Sequence, residues 1–346
     1  LIAVYESERQ RFLSLNKTFS SAKDRDGFIN DFVLNDEKRI SWSRSLKSGI
    51  GRSKEISFNS SDMVVSLYRP FSKQWFYFNK DLNEYSFQVP RMFPSENSSN
   101  RVICVIGIGE ANLPSTIMVD AIPEFKTHYN GQNFPLFLYE TIKNSSHTCQ
   151  GELLIIDKDF ENQQERQDGI TDEGLKHFQN AYSGHIITKE DLFYYVYGLL
   201  HSPEYRERYA DTLRKELPRI PRVKTYEAFK AFSDAGRRLG EMHVNFDTQP
   251  IYQGVEIDTG NKNLTSEDYR VTQMKYGKGK DKTILHYNER ITVSGIPLEA
   301  YDYVVNGKPA LDWVVERQCV KTDKASGIVN DANDWAIETM HNPRYP

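Results

Sequence analysis

The sequence predicts an α+β fold in three stretches: a mixed, β-rich N-terminal part with long loops, a central helical segment, and a β-rich C-terminal part. Three observations carry this. Short apolar runs cut by prolines fill residues 56–140, capped helical periods fill 188–243, and short strands with glycine turns follow from Val244. At 346 residues the chain is long for one average domain, so two or three packed units are expected.

The first 51 residues read as helix and then irregular chain. Phe12, Leu13 and Leu15 interleave with Glu8, Arg9, Arg11 and Lys17, and a second run centres on Phe28, Ile29, Phe32 and Val33. Residues 36–55 hold six basic side chains (Lys38, Arg39, Arg44, Lys47, Arg52, Lys54) against three acidic ones. Gly49 and Gly51 interrupt any helical period there, so this segment reads as a basic loop.

Strands follow. Val64, Val65, Leu67 and Tyr68 precede a stop at Arg69-Pro70-Phe71, and Trp75-Phe76-Tyr77-Phe78 is a β-prone aromatic run expected in the core. Val102-Ile103-Cys104-Val105-Ile106-Gly107 is the strongest buried strand. Prolines 90, 94, 114, 123 and 135 shorten the segments between. Residues 152–173 carry eight carboxylates against Lys158 and Arg166, as a hinge or surface connector would.

The helical part is well punctuated. Thr188-Lys-Glu-Asp191 forms a capping box with Asp in its last position, opening a helix with Leu192, Phe193, Val196, Leu199 and Leu200 as its stripe. Ser202-Pro203 restarts the chain as N-cap and N1 proline, with Tyr205, Tyr209 and Leu213 as a seam. Leu217-Pro-Arg-Ile-Pro221 stops that helix, and Thr225 caps a third carrying Phe229, Phe232 and Leu239. Beyond Val244, Tyr252, Val255 and Ile257 suggest a strand. Ile284–Tyr287 and Arg290–Val293 flank Asn288-Glu289 as a hairpin.

Composition excludes several classes. The 43 aromatic residues exclude disorder, and no apolar run approaches a membrane span. No signal-peptide pattern is visible from Leu1 to Tyr5, and three isolated cysteines (Cys104, Cys149, Cys319) fit a reducing, cytoplasmic setting. The missing Met at position 1 and the abrupt end at Pro346 suggest an excised fragment. No GxxxxGK[ST] or GxSxG motif occurs, and no His–Cys ligand spacing marks a zinc site. Gly107-Ile-Gly109-Glu-Ala-Asn112 reads as a turn, since Asn112 and Pro114 spoil a dinucleotide loop. Asn342-Pro343-Arg344-Tyr345 reads as a helix-terminating turn rather than a methyltransferase motif. No catalytic residue and no cofactor or metal site is therefore assigned within the chain. Asp120, Glu124 and Lys126 are kept as a metal-nuclease alternative.

Binding remains. Net charge is −4, yet basic side chains collect locally. Residues 270–290 hold six against two acidic ones, and residues 201–230 hold eight against five. Lys275, Lys278, Lys280 and Lys282, with Gly277 and Gly279, read as a flexible loop able to reach phosphates. Arg44, Lys47, Arg52 and Lys54, and Arg222 and Lys224, supply further candidate contacts to a localised DNA face.

Several strings are more specific than composition. Tyr68–Phe78, Phe134–Tyr139, Asp191–Tyr209 with Leu217–Pro221, Tyr287–Pro297, Tyr303–Gly307 and Ser326–Asp331 occur in one order across most of the chain. Together they resemble the C-terminal target recognition (specificity) domain of type ISP and type IIG-like single-chain restriction–modification enzymes. That family joins a nuclease, a helicase-like ATPase, an adenine-N6 methyltransferase and the recognition domain in one polypeptide. The resemblance implies double-stranded DNA and the upstream methyltransferase and helicase-like domains as partners, with no membrane. It implies S-adenosylmethionine, ATP and Mg for the parent enzyme, none of them held here.

On this reading residues 1–35 are the tail of an upstream methyltransferase, and 36–175 a β-rich N-terminal subdomain. Residues 176–243 are a helical subdomain and 244–346 a C-terminal β-rich one. The chain would recognise a DNA sequence and position the attached methyltransferase and ATP-dependent nuclease. The rival reading is a coupling module that reads no sequence, favoured by the net acidity and by residues 152–173.

Overall fold

The computed structural model describes residues 1–95, 98–105, 115–124, 131–141, 164–260 and 263–345. Its first helices, α1 (Ile2–Leu13), α2 (Ala22–Phe32) and α3 (Arg44–Gly51), form one hydrophobic cluster around Tyr5, Ile29, Val33, Leu46 and Ile50. The basic segment expected as a loop is thus helical over Arg44–Gly51. Ser43 caps it by accepting the Leu46 amide, and Leu46 and Ile50 turn inward. Gly49 serves contact here: a Cβ at that position would lie 2.6 Å from the Tyr5 phenol oxygen.

β1 (Met63–Arg69) and β2 (Ser72–Tyr77) pair antiparallel from Met63↔Tyr77 to Arg69↔Ser72. Their turn at Pro70-Phe71 puts Phe71 at φ +59°, a strain of order 1–3 kcal/mol. Burial of that ring, edge-on to Phe246 at 5.5 Å, opposes the strain. The aromatic run is not all core. β2 is the edge strand of its sheet, and Trp75 is 52% exposed, packing on Trp335 and donating from Nε1 to Thr339 Oγ1 at 2.9 Å.

The short helix α4 (Val89–Met92) leads to β3 (Val102–Val105), whose four residues are all buried. β4 (Thr116–Val119) pairs antiparallel with β3, while β5 (Ile122–Pro123) runs parallel beside β1. β6 (Gln132–Pro135) flanks the other side of β3, and β7 (Phe137–Thr141) pairs with β8 (Gln164–Asp168). Strand alternation places β3 between two cores. Ile103 and Val105 join the helical core; Val102 and Cys104 join Leu67, Phe71 and Trp313. Residues 106–114, with the Gly107–Asn112 turn, and 152–163 of the acidic segment lie outside the described residues.

Next come α5 (Asp172–Ala181), α6 (Lys189–Leu200), α7 (Pro203–Arg208), α8 (Ala210–Leu213) and α9 (Tyr226–Val244). Thr188, Ser202 and Thr225 cap their helices as expected, and Thr188 and Asp191 exchange both bonds of the capping box. α6 is buried on every side rather than along one stripe, Tyr194, Tyr195 and Tyr197 included. The expected seam breaks at Tyr209, whose φ of −111° separates α7 from α8 and leaves its ring partly exposed.

β9 (Glu256–Asp258), β10 (Lys275–Gly277), β11 (Asp281–His286) and β12 (Thr292–Ser294) make an antiparallel sheet in the order β10-β11-β12-β9. The expected hairpin at Asn288-Glu289 is present, with His286 opposite Thr292. β13 (Val304–Val305) and β14 (Lys308–Pro309) precede α10 (Ala310–Arg317). β15 (Val320–Thr322) and β16 (Val329–Asp331) pair before α11 (Ala332–Asp334), which runs into a π-helical turn at Trp335–Thr339. The Asn342-Pro343-Arg344-Tyr345 string is a turn, closed by Arg344 N donating to Asn342 Oδ1 at 3.1 Å. Among the described residues no helix is long and apolar enough to cross a membrane.

Candidate nucleic-acid interface

Each basic segment is held by its own local chemistry. On α3, Leu46 and Ile50 face the N-terminal core, which leaves Arg44 exposed and Lys47 half-buried. Arg52 follows at the helix C-cap, exposed. Lys54 pairs with Asp81, and its backbone carbonyl accepts the Tyr5 hydroxyl at 2.9 Å.

The second segment is stapled by tyrosines. Tyr205 donates to the Arg219 carbonyl at 2.8 Å, Tyr195 to that of Pro221 at 2.6 Å, and Tyr182 to that of Val223 at 2.5 Å. Tyr195 Oη also accepts the Val223 amide at 3.3 Å. Burial pushes the Tyr195 phenol up to about 12, so it stays a neutral donor. Hydroxyls from α6, α7 and the C-cap of α5 thus fix the backbone of 219–223, while Arg222 and Lys224 remain exposed on either side of Val223.

The third segment, expected as a flexible loop, is a tight hairpin. β10 and β11 pair through Lys275↔His286 and Tyr276↔Leu285. The tip bends at Gly279, φ +73°, and Lys280, φ +66°; a left-handed turn of this kind suits glycine. Lys275, Lys278 and Lys280 are exposed and have no ion-pair partner among the described residues. Lys282 differs: its Nζ lies 2.9 Å from Asp312 Oδ2 and 4.4 Å above the Tyr301 ring. It anchors the hairpin to α10.

These three segments rest on three separate hydrophobic clusters, those of Tyr5, of Tyr195 and of Leu285. Sequence reading missed the polar surface beside the third. Lys275, His286, Thr292 and Asp258 stand in register across the four-stranded sheet, a relation set by pairing and so invisible to local pattern.

The nuclease alternative finds little support in the geometry. Asp120 pairs with Arg101 at 3.6 Å and Glu124 with Arg69 at 2.6 Å; Lys126 lies outside the described residues. Burial raises the Asp120 carboxyl. Among the described residues no group of three or more His, Cys, Asp or Glu side chains could hold a metal ion.

His243 is buried and His201 half-buried, both rings packing against Tyr197 and Tyr303. The Met118 amide donates to Tyr197 Oη at 2.8 Å, and the Tyr197 hydroxyl shares a second hydrogen bond with His243 Nδ1. Burial, and then neighbouring His201, push His243 down to about 3. Burial also lowers His201, against the Tyr197 and Thr116 carbonyls at its two ring nitrogens.

A family model described as the Type ISP C-terminal specificity domain matches residues 1–346. The chain belongs to that family. Among solved structures, this specificity domain is similar to a nuclease-deletion mutant of the Type ISP restriction-modification enzyme LlaGI in complex with a DNA substrate mimic. The identity is 35%, over 99% of this chain and 28% of that one, with a TM-score of 0.79. The ATP-dependent Type ISP enzyme LlaBIII bound to DNA follows, 32% identical over 93% of this chain and 20% of that one, TM-score 0.76. The DrdV–DNA complex is 29% identical over 94% of this chain and 29% of that one, TM-score 0.72. The specificity domain therefore spans less than a third of these relatives. No curated protein matches it.

Proposed function

We propose that this specificity domain recognises a sequence in double-stranded DNA and positions an attached adenine-N6 methyltransferase, with an ATP-dependent nuclease, on that site. The observation that carries the reading is the full-length match to a specificity-domain family whose similar structures are DNA complexes. S-adenosylmethionine, ATP and Mg would be held by upstream domains of the same polypeptide, acting in the cytoplasm. Within this chain, Lys275, Lys278 and Lys280 would hold phosphates, and Arg44, Lys47, Arg52, Arg222 and Lys224 would add contacts. Phosphate contacts alone give affinity without sequence information.

The test is competition between the enzyme's methylation site and a scrambled duplex, at physiological salt. A recognition domain prefers the site by about a thousandfold or more. Equal affinity supports the coupling reading instead.

A further inference from the structure

Beside the lysine hairpin lies a groove of about 580 Å³ between residues 267–275 and the turn joining β11 to β12. Every residue lining it is polar or charged. Small-molecule pockets are mostly apolar, so this lining suits another class of ligand. Its charges also balance: Arg270, Lys275 and Arg290 face Glu267, Asp268 and Glu289. A groove without net charge gains little from phosphate attraction. What it offers is directional hydrogen bonding, next to the exposed lysines of the hairpin tip.

One side chain in it is held differently from the rest. Arg290 is 57% exposed, and its Nε lies 3.0 Å from Asp268 Oδ1. Asp268 is itself fixed, its Oδ2 accepting from the Thr265 amide and hydroxyl, both at 2.8 Å. The backbone beneath Arg290 is equally set. Asn288 Oδ1 accepts from the amides of Arg290 and Ile291, and Asn288 Nδ2 donates to the carbonyls of Asp268 and Arg270. Apart from its contact with Asp268, the Arg290 guanidinium has no hydrogen bond or ion pair among the described residues. Arg270, by contrast, is tied to Asp331.

A planar fork steadied through Nε matches the paired acceptors O6 and N7 of guanine in the major groove. We propose that this groove is the base-reading surface of the domain and that Arg290, steadied by Asp268, reads a guanine. The proposal rests on the sequence-recognition reading above and assigns it a residue.

The test uses the full-length polypeptide carrying this chain and a pool of duplexes randomised at their central base pairs. The wild type selects a consensus containing guanine. Arg290→Ala selects the same consensus with one guanine position degenerate, binds the wild-type sequence roughly ten- to a hundredfold more weakly, and keeps the wild-type salt slope. Arg290→Lys, which keeps the charge and loses the fork, behaves like Arg290→Ala. An unchanged thermal midpoint checks that both variants fold. An Arg290→Ala consensus identical to the wild type overturns the proposal. So does rescue by Arg290→Lys with a salt slope lowered by about one in Arg290→Ala, the signature of a phosphate contact. A wild type that selects no consensus removes the recognition reading itself, and Arg290's role with it.

Discussion

Gly198 of α6 and Gly236 of α9 meet back to back where the two helices cross. A Cβ on Gly236 would stand 2.7 Å from the Gly198 nitrogen and 2.0 Å from the Tyr194 carbonyl oxygen. Both obstacles are backbone, which cannot rotate aside. Gly236→Ala is therefore expected to cost at least the upper end of the about 1–3 kcal/mol typical of overpacking, read from denaturant midpoints. Gly27, inside α2, has nothing within 4 Å of its would-be Cβ. Gly27→Ala is expected to stabilise by about 0.5–1 kcal/mol, as helix propensity alone dictates.

His243 sets a pH dependence. Its folded pKa, about 3, lies below the ordinary histidine value of 6.5, so the unfolded chain binds the extra proton between them. The stability linked to this group is complete above about pH 6.5 and falls as pH drops toward 3, by up to about 1.4 kcal/mol per unit. His201, also lowered, acts in the same direction. His243→Gln keeps an acceptor for Tyr197 and removes the titration. Unfolding curves at pH 7.5 and 5.5 are expected to differ less for this variant than for the wild type.

The hairpin lysines divide into two kinds. Replacing Lys275, Lys278 and Lys280 by Ala is expected to lower the slope of log affinity against log salt by about one per lost phosphate contact, with little change in stability. Lys282→Ala removes the Asp312 ion pair and the contact with Tyr301. It is expected to cost stability, about 1 kcal/mol or less because the pair is partly exposed, and to change the salt slope less than any other of the four. Titration of binding against salt for the four single variants checks the division.

The tyrosine staples predict a local effect. Tyr195→Phe leaves the Pro221 carbonyl and Val223 amide to water, at a cost of about 0.5–1.5 kcal/mol. Segment 219–223 is expected to loosen first. Limited trypsin digestion is the readout, with faster cleavage after Arg219 and Arg222 than in the wild type.

Local signals were the legible ones. Thr188, Ser202 and Thr225 announce their helices because a cap and its amide lie three residues apart, and Val102–Val105 is β-prone whatever surrounds it. Misreadings arose where a distant partner decides. Gly49 sits in a helix because Tyr5 covers it, and Trp75 is exposed because β2 is an edge strand. Lys282 is anchored by Asp312, on an element local pattern does not connect to it. The groove around Arg290 is assembled by strand register and by the side chains of Asp268 and Asn288, so no stretch of sequence spells it out.

The central claim, that these 346 residues choose the DNA sequence, is tested most directly by transplantation. The chain replaces the corresponding domain of a Type ISP enzyme with a different target, and methylated adenines are mapped across a genome carrying the chimera. Methylation moving to the sites of the enzyme that donated the domain is the result predicted. Methylation remaining at the recipient's sites would contradict it and leave the chain a coupling module.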